Sequence, residues 1–125
     1  AMAASVGIQI ARPERPVVAV IGDGSALFSI QALWTAAHLD LPITYVIPNN
    51  RGYRILKQRL LSFHGNKNYV GMDLMDPEID FVGLATSLGV EAERIADPAA
   101  IRPAIEASVA AARPRLLDIA VDRSV

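Results

Sequence analysis

Two short segments of this 125-residue chain carry residue types suited to handling an anion and a metal ion together. The first is Gly22-Asp23-Gly24-Ser25. Glycine on both sides of Asp23 lets the backbone turn sharply and lets a bulky anion approach closely. Ser25 would open a helix, whose unpaired N–H groups and positive end favour phosphate. A carboxylate placed there repels that anion unless a cation lies between them. A hard divalent ion such as Mg²⁺ resolves the conflict, because it takes oxygen ligands and commonly bridges a carboxylate to phosphates. The second segment is Pro48-Asn49-Asn50-Arg51-Gly52-Tyr53. An asparagine side-chain oxygen is a neutral hard ligand, and Gly52 frees a backbone carbonyl to turn toward a metal. Counted from Asp23 to Asn50 the two lie 27 positions apart, close to the ~30 residues of one β–α–β unit. A Gly-Asp-Gly turn alone more often merely joins two elements, and an Asn-Asn pair before a turn is a weaker signal still. Placed together at two strand ends one crossover apart, they describe one site. Other phosphate motifs are missing: the segment lacks the third glycine of the dinucleotide fingerprint, and no Gly-Lys-Ser/Thr loop occurs.

The elements that must carry these segments can be read from the apolar runs. Val17–Ile21, Ile43–Ile47 and Leu116–Val121 are short, largely β-branched and bounded by Pro, Gly or Asn. The first two lack polar alternation, which predicts central parallel strands covered on both faces. Between them, Ser25–Leu39 carries Leu27, Ile30, Leu33, Trp34 and Ala37 at three- and four-residue steps, which predicts a helix of about four turns stopped by Asp40 and Pro42. Asp76-Pro77 and Asp97-Pro98 both read as helix starts, the first leading to a helix that Gly89 ends. Pro103 within the second predicts either a kink or a later start. Val90–Ile95 reads as a short edge strand and Phe63–Met75 as a long surface loop. The alternation of strands and helices predicts an α/β fold, a mostly parallel sheet with helices on both faces in three αβα layers. In such folds ligands bind beyond the carboxyl ends of the strands, where both candidate segments fall.

Composition sets the outer bounds. The chain is 52% hydrophobic with a formal charge of −1, which excludes a disordered chain and offers no basic excess for nucleic acid or an anionic membrane. Without cysteine there is no disulfide framework, thiolate nucleophile or cysteine zinc site. The longest charge-free run, Gly24–Leu39, contains Ser, Gln, Thr and His, so no membrane span is expected. No signal-peptide pattern opens the chain, and a cytoplasmic location is the expectation. Ala1 already stands in what reads as a helix, as if cut from something longer.

Gly22-Asp23-Gly24-Ser25 followed at this distance by Asn49-Asn50 resembles the cofactor motif of thiamine-diphosphate-dependent enzymes. AVIGDGSALFSIQALWTAAHLDLPITYVIPNN and DPEIDFVGLATSLGV are similar to the C-terminal, diphosphate-binding domain of benzoylformate decarboxylases. Acetolactate synthases and pyruvate and indolepyruvate decarboxylases share the motif. The resemblance implies that residues 1–125 form a C-terminal thiamine diphosphate- and Mg²⁺-binding domain, with N-terminal pyrimidine-binding and middle domains lying outside this chain. It implies that Asp23, the Asn50 side chain and the Gly52 carbonyl hold Mg²⁺. Gly22, Gly24 and Ser25 would receive the diphosphate, and Tyr53 would line the cofactor cavity. Ile55, Leu56 and Arg59 would shape the substrate pocket. Arg59 stands where benzoylformate decarboxylase carries an aromatic residue, which argues against an aromatic substrate. The implied activity is that of a lyase: decarboxylation of a 2-oxo acid on the cofactor, assisted by a glutamate from a partner subunit of a homo-oligomer, dimer or tetramer, with the active site at the subunit interface. None of Glu14, Glu78, Glu91, Glu93 and Glu106 matches that glutamate, so the chain alone is expected to be inactive and contributes no catalytic residue of its own.

Two rival functions remain open on the sequence. One is an acetolactate-synthase-like carboligase, which an FAD-binding middle domain would favour. The other is a non-catalytic α/β binding domain in which Gly22–Ser25 is only a turn. Among the remaining residues, His38 reads as a structural residue at a helix end, where a cation is favoured. His64 reads as a loop residue near the expected cavity. Arg51, Arg54, Lys57 and Arg59 read as a solvated helix face, with recognition of a substrate carboxylate or an interface as the alternatives. Trp34 and Phe28 are expected in the core or against a neighbouring subunit, and Met72 and Met75 on a closing loop.

Overall fold

The computed structural model describes residues 1–124. Ten elements follow one another: α1 (Met2–Ala11), β1 (Val17–Val20), α2 (Asp23–Ala26), α3 (Ala32–His38), β2 (Ile43–Asn49), α4 (Arg54–His64), α5 (Phe81–Ser87), β3 (Glu91–Ile95), α6 (Pro98–Ala110) and β4 (Arg115–Ala120). The four strands are parallel in the order β1-β2-β4-β3. Val17–Val20 pairs with Ile43–Val46 residue for residue, and the Ile21 N–H donates to the Val46 carbonyl at 2.9 Å, so the ladder runs one bond past β1. This register brings the loops after β1 and β2 to the same sheet edge.

One face of the sheet is covered by α1, α3 and α5, whose Met2, Val6, Leu33, Ala36, Phe81 and Ala85 pack on Ala19, Ile43, Tyr45, Ile47 and Leu116. The opposite face is covered by α6, through Ile101, Ala104 and Ile105 against Val46, Ile95, Leu117 and Ile119. The architecture is therefore the three-layer αβα fold expected. β2 meets the expectation of a strand buried on both faces, whereas β1 does not. It lies at the sheet edge, and Val18 and Val20, which share the face of Val46, are exposed where α6 does not extend over them.

The helices depart from the sequence pattern in three places. The single helix expected over Ser25–Leu39 is two helices. Between α2 and α3 the chain tightens into i→i−3 bonds (Ser29 N to Ala26 O, 3.2 Å; Ala32 N to Ser29 O, 3.0 Å), which preserve the apolar spacing without an α-helical ladder. The helix expected from Asp76-Pro77 begins at Phe81 instead, because the Asp80 carboxylate caps it by accepting the Gly83 N–H at 2.8 Å. Gly89 follows its end with φ +83°. The segment expected as a loop from Phe63 starts two residues later, after α4 ends at His64. Asp97 caps α6 as predicted, accepting the Ala99 N–H at 2.9 Å, and the helix continues through Pro103. The edge strand expected over Val90–Ile95 is β3, Glu91–Ile95, next to β4.

Candidate functional site

Asp23 is the first residue of α2 and only 3% exposed. One carboxylate oxygen accepts the Gly24 N–H at 2.8 Å; the other accepts the Gly52 N–H at 3.1 Å, across 29 residues of sequence. The two segments singled out by residue type are thus joined directly. A carboxylate offers about four lone-pair positions, so two accepted bonds leave capacity for a cation.

The loop after β2 is built to leave particular atoms free. Asn49, buried at the end of β2, accepts the Arg51 N–H on its side-chain oxygen at 3.0 Å and shapes the turn. Arg51 then takes a left-handed conformation, φ +59°. Its carbonyl accepts the Leu74 N–H at 2.8 Å, and the Tyr53 N–H donates to the Met72 carbonyl at 2.9 Å, which makes an antiparallel bridge between Gly52 and Asp73. This bridge employs the neighbours' polar groups and leaves the Gly52 carbonyl unclaimed by any backbone N–H among the described residues.

Gly22, Asp23, Gly24, Ser25, Asn50, Gly52, Tyr53, Arg54 and Ile55 line one cleft of about 140 Å³. That is below the roughly 300–1,000 Å³ of pockets that enclose a drug-sized ligand, so the cleft can enclose one end of a large cofactor and not the whole. Two of its glycines are required by close packing. A Cβ on Gly24 would run into the Tyr53 ring, and one on Gly52 would lie 2.6 Å from the Met72 carbonyl oxygen. At Gly22, by contrast, a Cβ would meet nothing within 4 Å, so the approach to Asp23 is open on that side. Ser25 is exposed beside it. The cleft's donor set is one buried carboxylate, one side-chain amide and one free carbonyl, all hard oxygen donors of the kind Mg²⁺ takes. Among the described residues no group of three or more His, Cys, Asp and Glu side chains could hold a metal, so only a mixed set of this kind is available.

Of the expected substrate-pocket residues, Ile55 lines the cleft, while Leu56 and Arg59 stand outside its lining. The four basic residues separate. Arg51 pairs with Glu78 (3.4 Å), Lys57 with Asp73 (2.6 Å), and Arg54 donates to the Ser124 carbonyl (2.7 Å). Arg59 has no acidic partner among the described residues and lies 5.6 Å from the Phe63 ring centroid. Neither histidine lines the cleft: His38 stacks on Trp34 at 4.9 Å, and His64 ends α4. Trp34 and Phe28 are exposed and not in the core of this chain. Met72 contributes its backbone to the Gly52 bridge, and the Met75 sulfur accepts a bond from Arg123 at 2.9 Å.

The sequence pattern did not reveal a line of charges behind the cleft. Glu78 takes both Arg51 and Arg94 of β3, and Arg94 lies 3.9 Å from Asp118, which is buried in β4. The available signal was Asp118 itself, a carboxylate inside the apolar run LLDIAV. Burial pushes the Asp118 carboxyl above its ordinary value, Asn49 and Arg94 draw it partway back, and Glu78 and Asp23 add to the rise.

Residues 1–119 match the family profile described as thiamine pyrophosphate enzyme, C-terminal TPP binding domain. The chain is 35% identical over 122 residues to an acetolactate synthase large subunit of Parasynechococcus marenigrum, covering 98% of this chain and 20% of that protein. It is 37% identical over 119 residues to a benzoylformate decarboxylase of Pseudomonas aeruginosa, covering 93% and 21%. Its fold is similar to that of a thiamine diphosphate-dependent 4-hydroxybenzoylformate decarboxylase of Rhodococcus jostii RHA1, with a TM-score of 0.86 at 36% identity over 97% of this chain and 23% of that one. The chain therefore spans about a fifth to a quarter of the length of the relatives it matches.

Proposed function

Because the chain belongs to the thiamine pyrophosphate enzymes, as their C-terminal cofactor-binding domain, we propose that it anchors the diphosphate of thiamine diphosphate through Mg²⁺ in a 2-oxo acid decarboxylase of the benzoylformate decarboxylase type. The observation that carries this reading is the hydrogen bond from the Gly52 N–H to the buried Asp23 carboxylate, which brings both candidate ligand segments to one point. Asp23, the Asn50 side-chain oxygen and the Gly52 carbonyl hold the ion. Gly22 leaves the approach open, and Ser25 offers its hydroxyl to the diphosphate. The Gly24 N–H is engaged by Asp23, so Gly24 serves the site by orienting that carboxylate and by making room for Tyr53.

When bound, the cofactor supplies the electron sink that decarboxylation of a 2-oxo acid requires. This chain's residues bind and orient it. Tyr53 and Ile55 flank the cleft, and Ile55, with Leu56 and Arg59 further along α4, borders the substrate. Asp23 is the one acidic residue lining the cleft. In this reading the activating glutamate comes from a different domain, in a homo-oligomer whose active site lies between subunits, as the family resemblance implies. The exposed Phe28, Trp34 and Val20 are consistent with such contacts.

Similarity to acetolactate synthase favours a second reading, a carboligase that condenses two 2-oxo acids. A product assay on the whole enzyme, loaded with thiamine diphosphate and Mg²⁺ and given a panel of 2-oxo acids, separates the two. The decarboxylase reading expects CO₂ and the matching aldehyde. Acetohydroxy acid as the main product selects the carboligase instead, and no turnover of any 2-oxo acid removes both.

A further inference from the structure

The Gly52 carbonyl can serve a metal only if its loop is held in place, and Arg51 makes that difficult. It carries a side chain at φ +59°, a conformation that persists in a non-glycine residue when the surroundings secure it. It also puts a cationic side chain on the residue between Asn50 and Gly52 in the chain, where a free guanidinium turned toward the cleft would repel a divalent ion. Residues 72–78 answer both problems. Leu74 and Met72 bond to the backbone on either side of Gly52, Asp73 binds Lys57, and Glu78 binds the Arg51 guanidinium. The same Glu78 oxygen lies 3.0 Å from Arg94 Nη2, and Arg94 reaches toward Asp118 in the buried centre of the sheet. Glu78 is therefore tied to β3 on one side and to the metal loop on the other.

We infer that Glu78 is a positioning residue for the metal loop: anchored by Arg94, it holds Arg51 in its left-handed turn and keeps Asn50 and the Gly52 carbonyl convergent on Asp23. This rests on the metal-site reading above. The partners are about one-third exposed, 35% for Arg51 and 38% for Glu78, so the pair is worth little by itself. Its effect should appear as a change in metal requirement more than as a loss of fold.

The test measures thiamine diphosphate binding to the whole protein calorimetrically, as a function of Mg²⁺ concentration, for Glu78→Gln, Arg51→Gln and the double variant. Simple electrostatics makes the two single changes act in opposite directions. Losing the Glu78 charge weakens Mg²⁺ binding, and losing the Arg51 charge tightens it. Positioning makes both weaken it. The expected result is that both single variants need about two- to fivefold more Mg²⁺ for half-saturation, that the double variant is no worse than either, and that the metal-free melting temperature changes little. A lower Mg²⁺ requirement in Arg51→Gln, or an unchanged one, overturns the inference. If Glu78→Gln does not fold, the direction of the Arg51→Gln shift decides alone. Asp23→Asn is the control. If it keeps the wild-type Mg²⁺ requirement, the metal-site reading fails; if it loses binding while the other variants do not move, only the role of Glu78 fails.

Discussion

Asp23 holds the site together at the level of single atoms, because one carboxylate fixes the turn after β1 and the loop after β2 at once. Asp23→Asn keeps the size and removes the charge, and it exchanges one acceptor for a donor facing a backbone N–H. A buried hydrogen bond to a charged group is worth about 1.5–3 kcal/mol, so a stability loss of that order should accompany loss of cofactor binding in a urea melt. Gly24→Ala should act differently. Its methyl group displaces the Tyr53 ring, at a cost of about 1–3 kcal/mol, and Tyr53→Leu in the same chain should recover part of that stability. Asp118 gives a pH signature. Its folded value lies above its unfolded one, so folding takes up a proton. Stability from this group is then highest below the unfolded value of about 3.9 and falls as pH rises through the folded value. Urea denaturation at stepped pH should show that fall in the wild type and a flatter profile in Asp118→Asn; identical profiles would contradict the assignment.

At the scale of elements, the strands that carry the site were legible because β-branched runs bounded by Gly, Pro and Asn have few alternatives. The two candidate ligand segments were legible for the same reason: each directly follows such a run. The break between α2 and α3 was not, since Leu27, Ile30 and Leu33 recur at spacings that a helix and a series of tight turns satisfy equally well. The bridge from residues 72–75 to 51–53 was also hidden, because it joins two aperiodic segments by backbone bonds that no side-chain pattern encodes. Gly52→Ala tests that bridge. A Cβ there meets a backbone carbonyl that cannot swing aside, so the loop must move, and a loss of about 1–3 kcal/mol together with a higher Mg²⁺ requirement is expected from thermal melts and metal titration. Unchanged values in both would mean that the 72–75 segment yields freely.

For the molecule as a whole, the expectation of a sheet covered on both sides held for β2 and missed β1. Hydrophobicity in Val17–Val20 does not by itself say which face is covered, and Val18 and Val20 find no cover among the described residues. The same holds for Phe28 and Trp34, whose apolar surface the sequence placed in a core or against a neighbour. A cleft of this size lined by one acidic residue fits the proposed role, in which this domain binds and orients the cofactor and other domains complete the reaction. The 125-residue chain alone should therefore release no CO₂ from 2-oxo acids. The most direct test of the central claim is a calorimetric titration of thiamine diphosphate into the whole protein, with saturating Mg²⁺ and again in EDTA, for the wild type and Asp23→Ala. The account predicts binding by the wild type only with Mg²⁺ and none by Asp23→Ala in either condition. Binding by Asp23→Ala with wild-type affinity at micromolar Mg²⁺ would contradict it.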